Sequence, residues 1–266
     1  MRIVPVWIVL PPRALLLDIA GPLEVLRRAN VEQTALRFEV RHFAARMRVM
    51  SSIGLVLDGV EPLPDVLPDD ALLILTGSVD AVAFGADPAD SEVARDERAI
   101  VAWLRRHVHA RHRLVSICSG ALLAARAGLL DGHACTTHHS VCAELAQLAP
   151  AANVLDNRLY VEDGNRCSSA GVTAGTDLML HLVARLTSGA VALAIARHLV
   201  MYLRRGGADP QLSPWLQGRN HIHPAVHRAQ DAVAADPARA WTLAALARIA
   251  GASPRHLRAC STNTPE

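Results

Sequence analysis

Lysine is absent: all 27 basic residues of the 266-residue chain are arginine. Beside the abundance of alanine, this points to a GC-rich gene rather than to a function. Strong net charge is absent too. The balance is only +2, so no global basic field marks a nucleic-acid binder, and any such contact needs a local patch. The five cysteines (Cys118, Cys135, Cys142, Cys167 and Cys260) show no C-x-x-C spacing, which removes the usual zinc-finger arrangement. An odd number in a long chain fits a reduced, cytoplasmic protein. No segment has the uninterrupted apolar length to span a membrane. The apolar start, "MRIVPVWIVLPPRALLL", is broken by Pro11, Pro12 and Arg13. No small-residue cleavage site follows, so a signal peptide is not expected. No repeat of solenoid period occurs.

What is present is an alternation of buried strands and amphipathic helices. Half the residues are hydrophobic (51%), enough for one large α/β domain and a small appendage. "RIVPVWIVL" (2–10), "LRFEVRHFA" (36–44), "ALLILTG" (71–77) and "RLVSI" (113–117) read as strands. Helices are expected at "DIAGPLEVLRRAN", with Pro22 in its first turn, and at "SEVARDERAIVAWLRRHVHA", "SGALLAARAGLL" and "HHSVCAELAQLA". Two more follow at "TDLMLHLVARLT" and "GAVALAIARHLVMYLRR". This order predicts a flavodoxin-like parallel sheet with helices on both faces. It fills residues 1–205. Residues 206–221, rich in Gly, Pro and Ser, read as a linker. A small all-α unit occupies 222–266.

Chemistry concentrates where strands hand over to helices. Cys118 ends the strand "RLVSI" and precedes a helix. Such an elbow sits at the carboxyl edge of the sheet, where open α/β folds keep their sites. The helix N-terminus there is expected to lower the thiol pKa, and Ser119 is placed to hydrogen-bond near the sulfur. A buried structural cysteine is the alternative. Asp18 follows the first strand at the same edge. It reads either as an acid/base partner of Cys118 or as a helix cap. Thr137, His138 and His139, in "ACTTHH", can face the same pocket, with at most one histidine reaching the cysteine. His221, His223 and His227, in "NHIHPAVH", are too few and too ordinary to predict a metal site. No metal or cofactor is expected.

Together these motifs carry a resemblance. "LDIAGPLEVL", "SICSGALLAARAGLLDGHACTTHH" and "SSAGVTAGTDLMLHLV" resemble the ThiJ/PfpI branch of the class I glutamine amidotransferase-like fold. The nearest likeness is to AraC-type transcriptional regulators that carry such a domain at the N-terminus. It runs from about residue 3 to about 205 and continues through "HPAVHRAQDAVAADPARAWTLAALARIAGASPRHL". The resemblance implies a dimerising first domain that senses an unidentified small molecule at Asp18, Cys118, Ser119, Thr137 and His138. It implies operator DNA as the second partner. The cysteine elbow also resembles isocyanide hydratase, which would make Cys118 a nucleophile, Asp18 its acid/base and Ser119 an assisting hydroxyl. Ser119 stands where that pattern has Thr, and His139 where it has Trp. The first keeps a hydroxyl; the second removes an aromatic wall.

The tail reads as a helix-turn-helix. Thr242 caps "LAALARIA", Gly251 supplies the left-handed turn, and Ser253 caps a second helix with Pro254 in its first turn. Thr242, Ser253, Arg255, His256 and Arg258 are the candidate DNA-binding residues. The AraC-type domain uses two such units, and the likeness stops at Leu257 or Arg258. "ACSTNTPE" shows no apolar period and is not expected to complete the recognition helix. Read generically from the third base of the Ala259 codon, the same bases can encode Leu-Phe-His-Glu-His-Ala-Gly. That resembles the continuation of such regulators, so a frameshift is one expectation, checked by reading the gene. Weak or no specific DNA binding by this chain is the other.

Overall fold

The computed structural model describes residues 1–78, 91–212 and 223–262. His221 and most of the expected linker lie outside them. The chain divides into two compact units, Met1–Gln211 and Leu212–Glu266.

In the first unit the strands are β1 (Arg2–Val9), β2 (Leu36–Ala44), β3 (Val49–Met50), β4 (Val56–Leu57), β5 (Glu61–Pro62), β6 (Leu72–Leu75), β7 (Arg113–Ile117), β8 (Ala134–Cys135), β9 (Asn153–Val154), β10 (Tyr160–Asp163) and β11 (Arg166–Ser169). The helices are α1 (Leu16–Glu32), α2 (Glu92–His107), α3 (Gly120–Arg126), α4 (Cys142–Leu148), α5 (Thr173–Leu186) and α6 (Gly189–His198). Seven strands form one sheet in the order β10-β11-β7-β6-β1-β2-β5. Its pairings are parallel except for the β10–β11 hairpin.

The sheet is flavodoxin-like, with apolar cores on both faces. Along β1, Val6 and Ile8 enter the core that holds Val25, Leu178 and Ile195 from α1, α5 and α6. Trp7 and Val9 enter the opposite core, with Ile100 and Leu104 of α2 and Leu123 of α3. A strand buried on both faces is apolar at every position, which is why "VWIVL" runs without alternation. Each fully buried Leu or Ile contributes about 1.5–3 kcal/mol. Pro5 is tolerated because that part of β1 pairs with β2 alone; the β6 pairing starts at Val6.

Three helices differ from their expected bounds. Helix α1 starts at Leu16, so Pro22 lies inside it and not in its first turn. The proline follows Gly21, where an added Cβ would come 2.4 Å from Thr176 Oγ1 of α5; tight packing of α1 on α5 holds the interruption. Helix α6 stops at His198 and does not reach Arg205. Val200 turns left-handed (φ 54°), and the Met201 N–H closes back onto the Ala196 carbonyl at 3.0 Å. The expected helix over "HHSVCAELAQLA" opens as a 3₁₀ turn, His139–Val141, before α4.

Residues 201–211 then form a strap on the first unit. The Arg205 guanidinium grips the buried Asp177 carboxylate at 2.6 and 2.9 Å. Gly207 accepts from Leu159 N–H. Gln211 Nε2 donates to the carbonyls of Thr137 (2.8 Å) and Arg158 (3.0 Å), and its Oε1 accepts from His139 N–H. Composition suggested a linker from 206, yet 206–211 is packed chain.

The second unit holds α7 (Pro224–Ala235), α8 (Leu243–Ala250) and α9 (Pro254–Thr262). Its core is Ala225, Val226, Ala229, Ala247, Ala250 and Leu257. Arg228 donates twice to the Ala250 carbonyl, tying α7 to the end of α8. Helix α9 continues past Arg258 to Thr262, where the sequence led us to expect a break. Leu257 is buried and Cys260, nearly one turn on, packs partly against the same core. Among the described residues no helix is long and apolar enough to cross a membrane.

Candidate functional site

Parallel strands β1, β6, β7 and β11 end at one edge, and four turns meet there. The β7–α3 elbow puts Cys118 in left-handed backbone conformation (φ 54°). Its N–H bonds to the Ser169 carbonyl at the end of β11 (3.0 Å). Thr137 Oγ1 donates to the Cys118 carbonyl at 2.8 Å. A cysteine held in this sparsely populated region, bonded from two sides, has a fixed side-chain direction.

Asp18 comes from the first turn of α1 and is fully buried. It does not cap its own helix. Oδ2 accepts from Gly77 N–H (3.1 Å) and Oδ1 from Val172 N–H (2.6 Å). The Cys118 side chain lies beside this carboxylate, both of them crowding Gly77, and each perturbs the other. Val172 itself is strained, at φ 50° and ψ −114°, a region a β-branched residue avoids. The two sharpest backbone deviations at this edge thus serve one pair of side chains.

The electrostatics follow from burial. Loss of water pushes the Asp18 carboxyl up to about 6, against the pull of the Val172 and Gly77 amides and the thiol. Burial, then the Asp18 charge, push the Cys118 thiol up to about 12. The expected lowering by the helix N-terminus is therefore overturned. The Ser119 amide, capping the seven-residue α3, pulls the thiol down, but desolvation and a carboxylate outweigh it. At neutral pH the pair is a thiol on a carboxylate. Iodoacetamide at pH 7.5 should alkylate Cys118 at least about 100-fold more slowly than an exposed thiol. Peptide mapping after timed labelling measures this, and equal rates would contradict the thiol assignment.

Sequence reasoning missed how glycine makes the room. At Gly171 (φ 84°) a Cβ would fall 2.2 Å from Cys118 Cβ and 2.8 Å from its Sγ. At Gly77 it would fall 2.6 Å from Asp18 Oδ2 and 2.8 Å from Cys118 Cβ. A glycine two residues after a strand, twice at one sheet edge, was the available signal.

The model of the DJ-1/PfpI family matches residues 5–185. The chain belongs to the DJ-1/PfpI family. It is similar to the HTH-type transcriptional regulator GbdR of Pseudomonas aeruginosa, 32% identical over 158 residues, which cover 59% of this chain and 41% of that relative. It therefore spans less than half the length of that protein. It is also similar to isonitrile hydratase of Pseudomonas putida, 30% identical over 175 residues, which cover 66% of this chain and 68% of the relative. An AraC family transcriptional regulator from Pseudomonas putida shares the fold, with a TM-score of 0.56 at 24% identity over 74% of this chain and 99% of that one.

Within this DJ-1/PfpI site the other sequence candidates divide. Ser119 Oγ accepts from Ser78 N–H (2.9 Å) and donates to the Ser78 carbonyl (3.2 Å). The hydroxyl anchors the β6 turn instead of assisting the sulfur. Thr137 supports the elbow from behind. His138 turns its ring toward Ser140 (2.7 Å) and lies tilted against His139.

The second unit keeps the helix-turn-helix. Thr242 Oγ1 accepts from Ala245 N–H and Ser253 Oγ from His256 N–H, so both hydroxyls serve as helix caps. Gly251 is left-handed (φ 62°). Arg255, His256 and Arg258 are exposed on α9. His256 Nε2, however, faces Cys260 Sγ at 3.5 Å.

Proposed function

We propose that the chain is a transcriptional regulator of the AraC kind. In this reading the DJ-1/PfpI unit senses a small molecule beside Asp18 and Cys118, with Thr137 and His138 at the margin, and pairs with a second copy. The second unit contacts operator DNA in the cytoplasm, weakly on its own, since a single helix-turn-helix makes few phosphate contacts. One observation carries it: α8, Gly251 and α9 form a helix-turn-helix whose second helix presents Arg255 and Arg258 to solvent. A metabolic enzyme has no need of such an element. The naming of GbdR as an HTH-type regulator supports it.

The test is binding to duplex DNA selected from a random pool, followed across a salt series. Affinity is electrostatic at base, so log K falls linearly with log salt. Arg255→Ala and Arg258→Ala should each weaken binding about tenfold, and the double variant should flatten the salt slope by about 2. An unchanged slope would remove α9 as the contacting helix.

The second reading is a cysteine-dependent hydration, favoured by the proximity of Cys118 to Asp18 and by the likeness to isonitrile hydratase. Asp18 would take the thiol proton as sulfur attacks the isonitrile carbon and return it to that carbon, giving a thioimidate; water would then add to the same carbon and the C–S bond would break, releasing the N-formyl product and the thiol. Formation of the N-alkylformamide from an alkyl isonitrile, abolished in Cys118→Ser, supports the enzyme. No turnover leaves the site to effector binding.

A further inference from the structure

The second unit brings together three side chains, of which only His256 was a candidate for DNA contact. His223 is the residue before α7, while His256 and Cys260 lie one turn apart on α9. Cys260 Sγ is 3.1 Å from His223 Nε2 and 3.5 Å from His256 Nε2. All three donor atoms lie within 4.8 Å of one another. The two rings are tilted by 58° with centroids 5.7 Å apart, so they converge on the sulfur rather than stack.

These distances are those of a coordination shell. Zinc bonds of about 2.0 Å to imidazole nitrogen and about 2.3 Å to thiolate give a tetrahedral nitrogen–sulfur edge of about 3.5 Å. The His256 edge, 3.5 Å, matches this, and the His223 edge, 3.1 Å, falls about 0.4 Å short of it. The donor set, two imidazoles and one thiol, is borderline to soft. It favours zinc and its transition-metal neighbours over magnesium or calcium, which take oxygen. Binding would release the Cys260 proton, because the ligand is thiolate.

We infer that His223, His256 and Cys260 form a binding site for a divalent transition metal, zinc by preference, with a fourth position left to water or an added ligand. The sequence hid it. His223 was grouped with His221 and His227 by proximity, whereas its partners are 33 and 37 residues away. His227 is not in the set. Cys260 lies past the point where the AraC likeness ends, so the site belongs to this chain's own sequence.

The metal would have a mechanical role. It would pin the second half of α9 to the entry of α7, closing a unit whose core is mostly alanine. Units this small gain most from such a staple. It would also take His256 away from DNA and hold α9 in place for Arg255 and Arg258.

Cobalt(II) added to the full reduced chain tests this. One equivalent should bind, with a thiolate-to-metal charge-transfer band in the near ultraviolet and tetrahedral bands in the visible. Zinc should displace it. Cys260→Ser should abolish the charge-transfer band, and His256→Ala, at an exposed position, should weaken binding at least about tenfold. Far-ultraviolet circular dichroism confirms that each variant is folded. If Cys260→Ser does not fold, weakened binding in His256→Ala supports the site in its place, and unchanged binding there overturns it. A charge-transfer band that survives both substitutions places the metal on another cysteine and overturns the site, as does failure to bind one equivalent.

Discussion

Gly171→Ala should destabilise the first unit by roughly 2–5 kcal/mol, the sum of two separate penalties. The first is backbone: an L-residue held at φ 84° loses about 1–2 kcal/mol. The second is steric. The new methyl would lie 2.2 Å from Cys118 Cβ and 2.9 Å from its Cα, and neither can swing away like a side-chain tip. Overpacking of this kind costs about 1–3 kcal/mol. For a unit of this size the melting temperature should fall by about 10 °C. Gly164→Ala is the internal control. It is also left-handed (φ 59°), but a Cβ there meets nothing within 4 Å, so only the backbone penalty applies. Urea titrations of both variants measure the difference, and equal losses would show that Gly171 does not crowd the cysteine.

Protonation of Asp18 should leave a signature in stability against pH. Its carboxyl is raised from the ordinary 3.8 to about 6 in the folded chain. The folded state therefore binds the proton more tightly than the unfolded state. The contribution is fully present below about pH 4, is lost as pH rises toward 6, and is constant above. The size is roughly 3 kcal/mol, about two pH units at 1.36 kcal/mol each. Asp177 is also raised by burial, while Glu61 and Asp163 are lowered by their partners, so the raw profile mixes slopes of both signs. Subtracting the Asp18→Asn profile isolates the residue. The wild type minus variant difference should fall between pH 4 and 6, and a flat difference would mean that Asp18 is not desolvated. The same titration bears on the site. Above pH 6 the thiol faces a carboxylate and stays protonated; below it, two neutral acids meet.

Much of this was legible because it is local. Runs such as "VWIVL" and "LLIL" cannot be anything but doubly covered strands, and a cysteine between such a run and a helix marks a sheet edge. Asp18 was legible as a candidate but not as a decision between cap and partner, since that depended on Val172, 154 residues away. Gly171 beside Cys118 and His223 beside Cys260 are the same kind of fact: distance in sequence hides distance in space. The thiol was misjudged for another reason. A helix terminus can be read from a sequence, but depth of burial, the larger effect here, cannot.

The strap bears on how the gene can be divided. A change of composition at 205 invites a cut there. Such a cut would remove the amide of Gln211 from the Thr137 and Arg158 carbonyls and its oxygen from His139 N–H. It would also sever the chain directly after the arginine that neutralises buried Asp177. Thr137 in turn holds the Cys118 carbonyl. A fragment meant to report on Cys118 must therefore run to Gln211, because the last stitches of that domain lie in what composition marks as spacer.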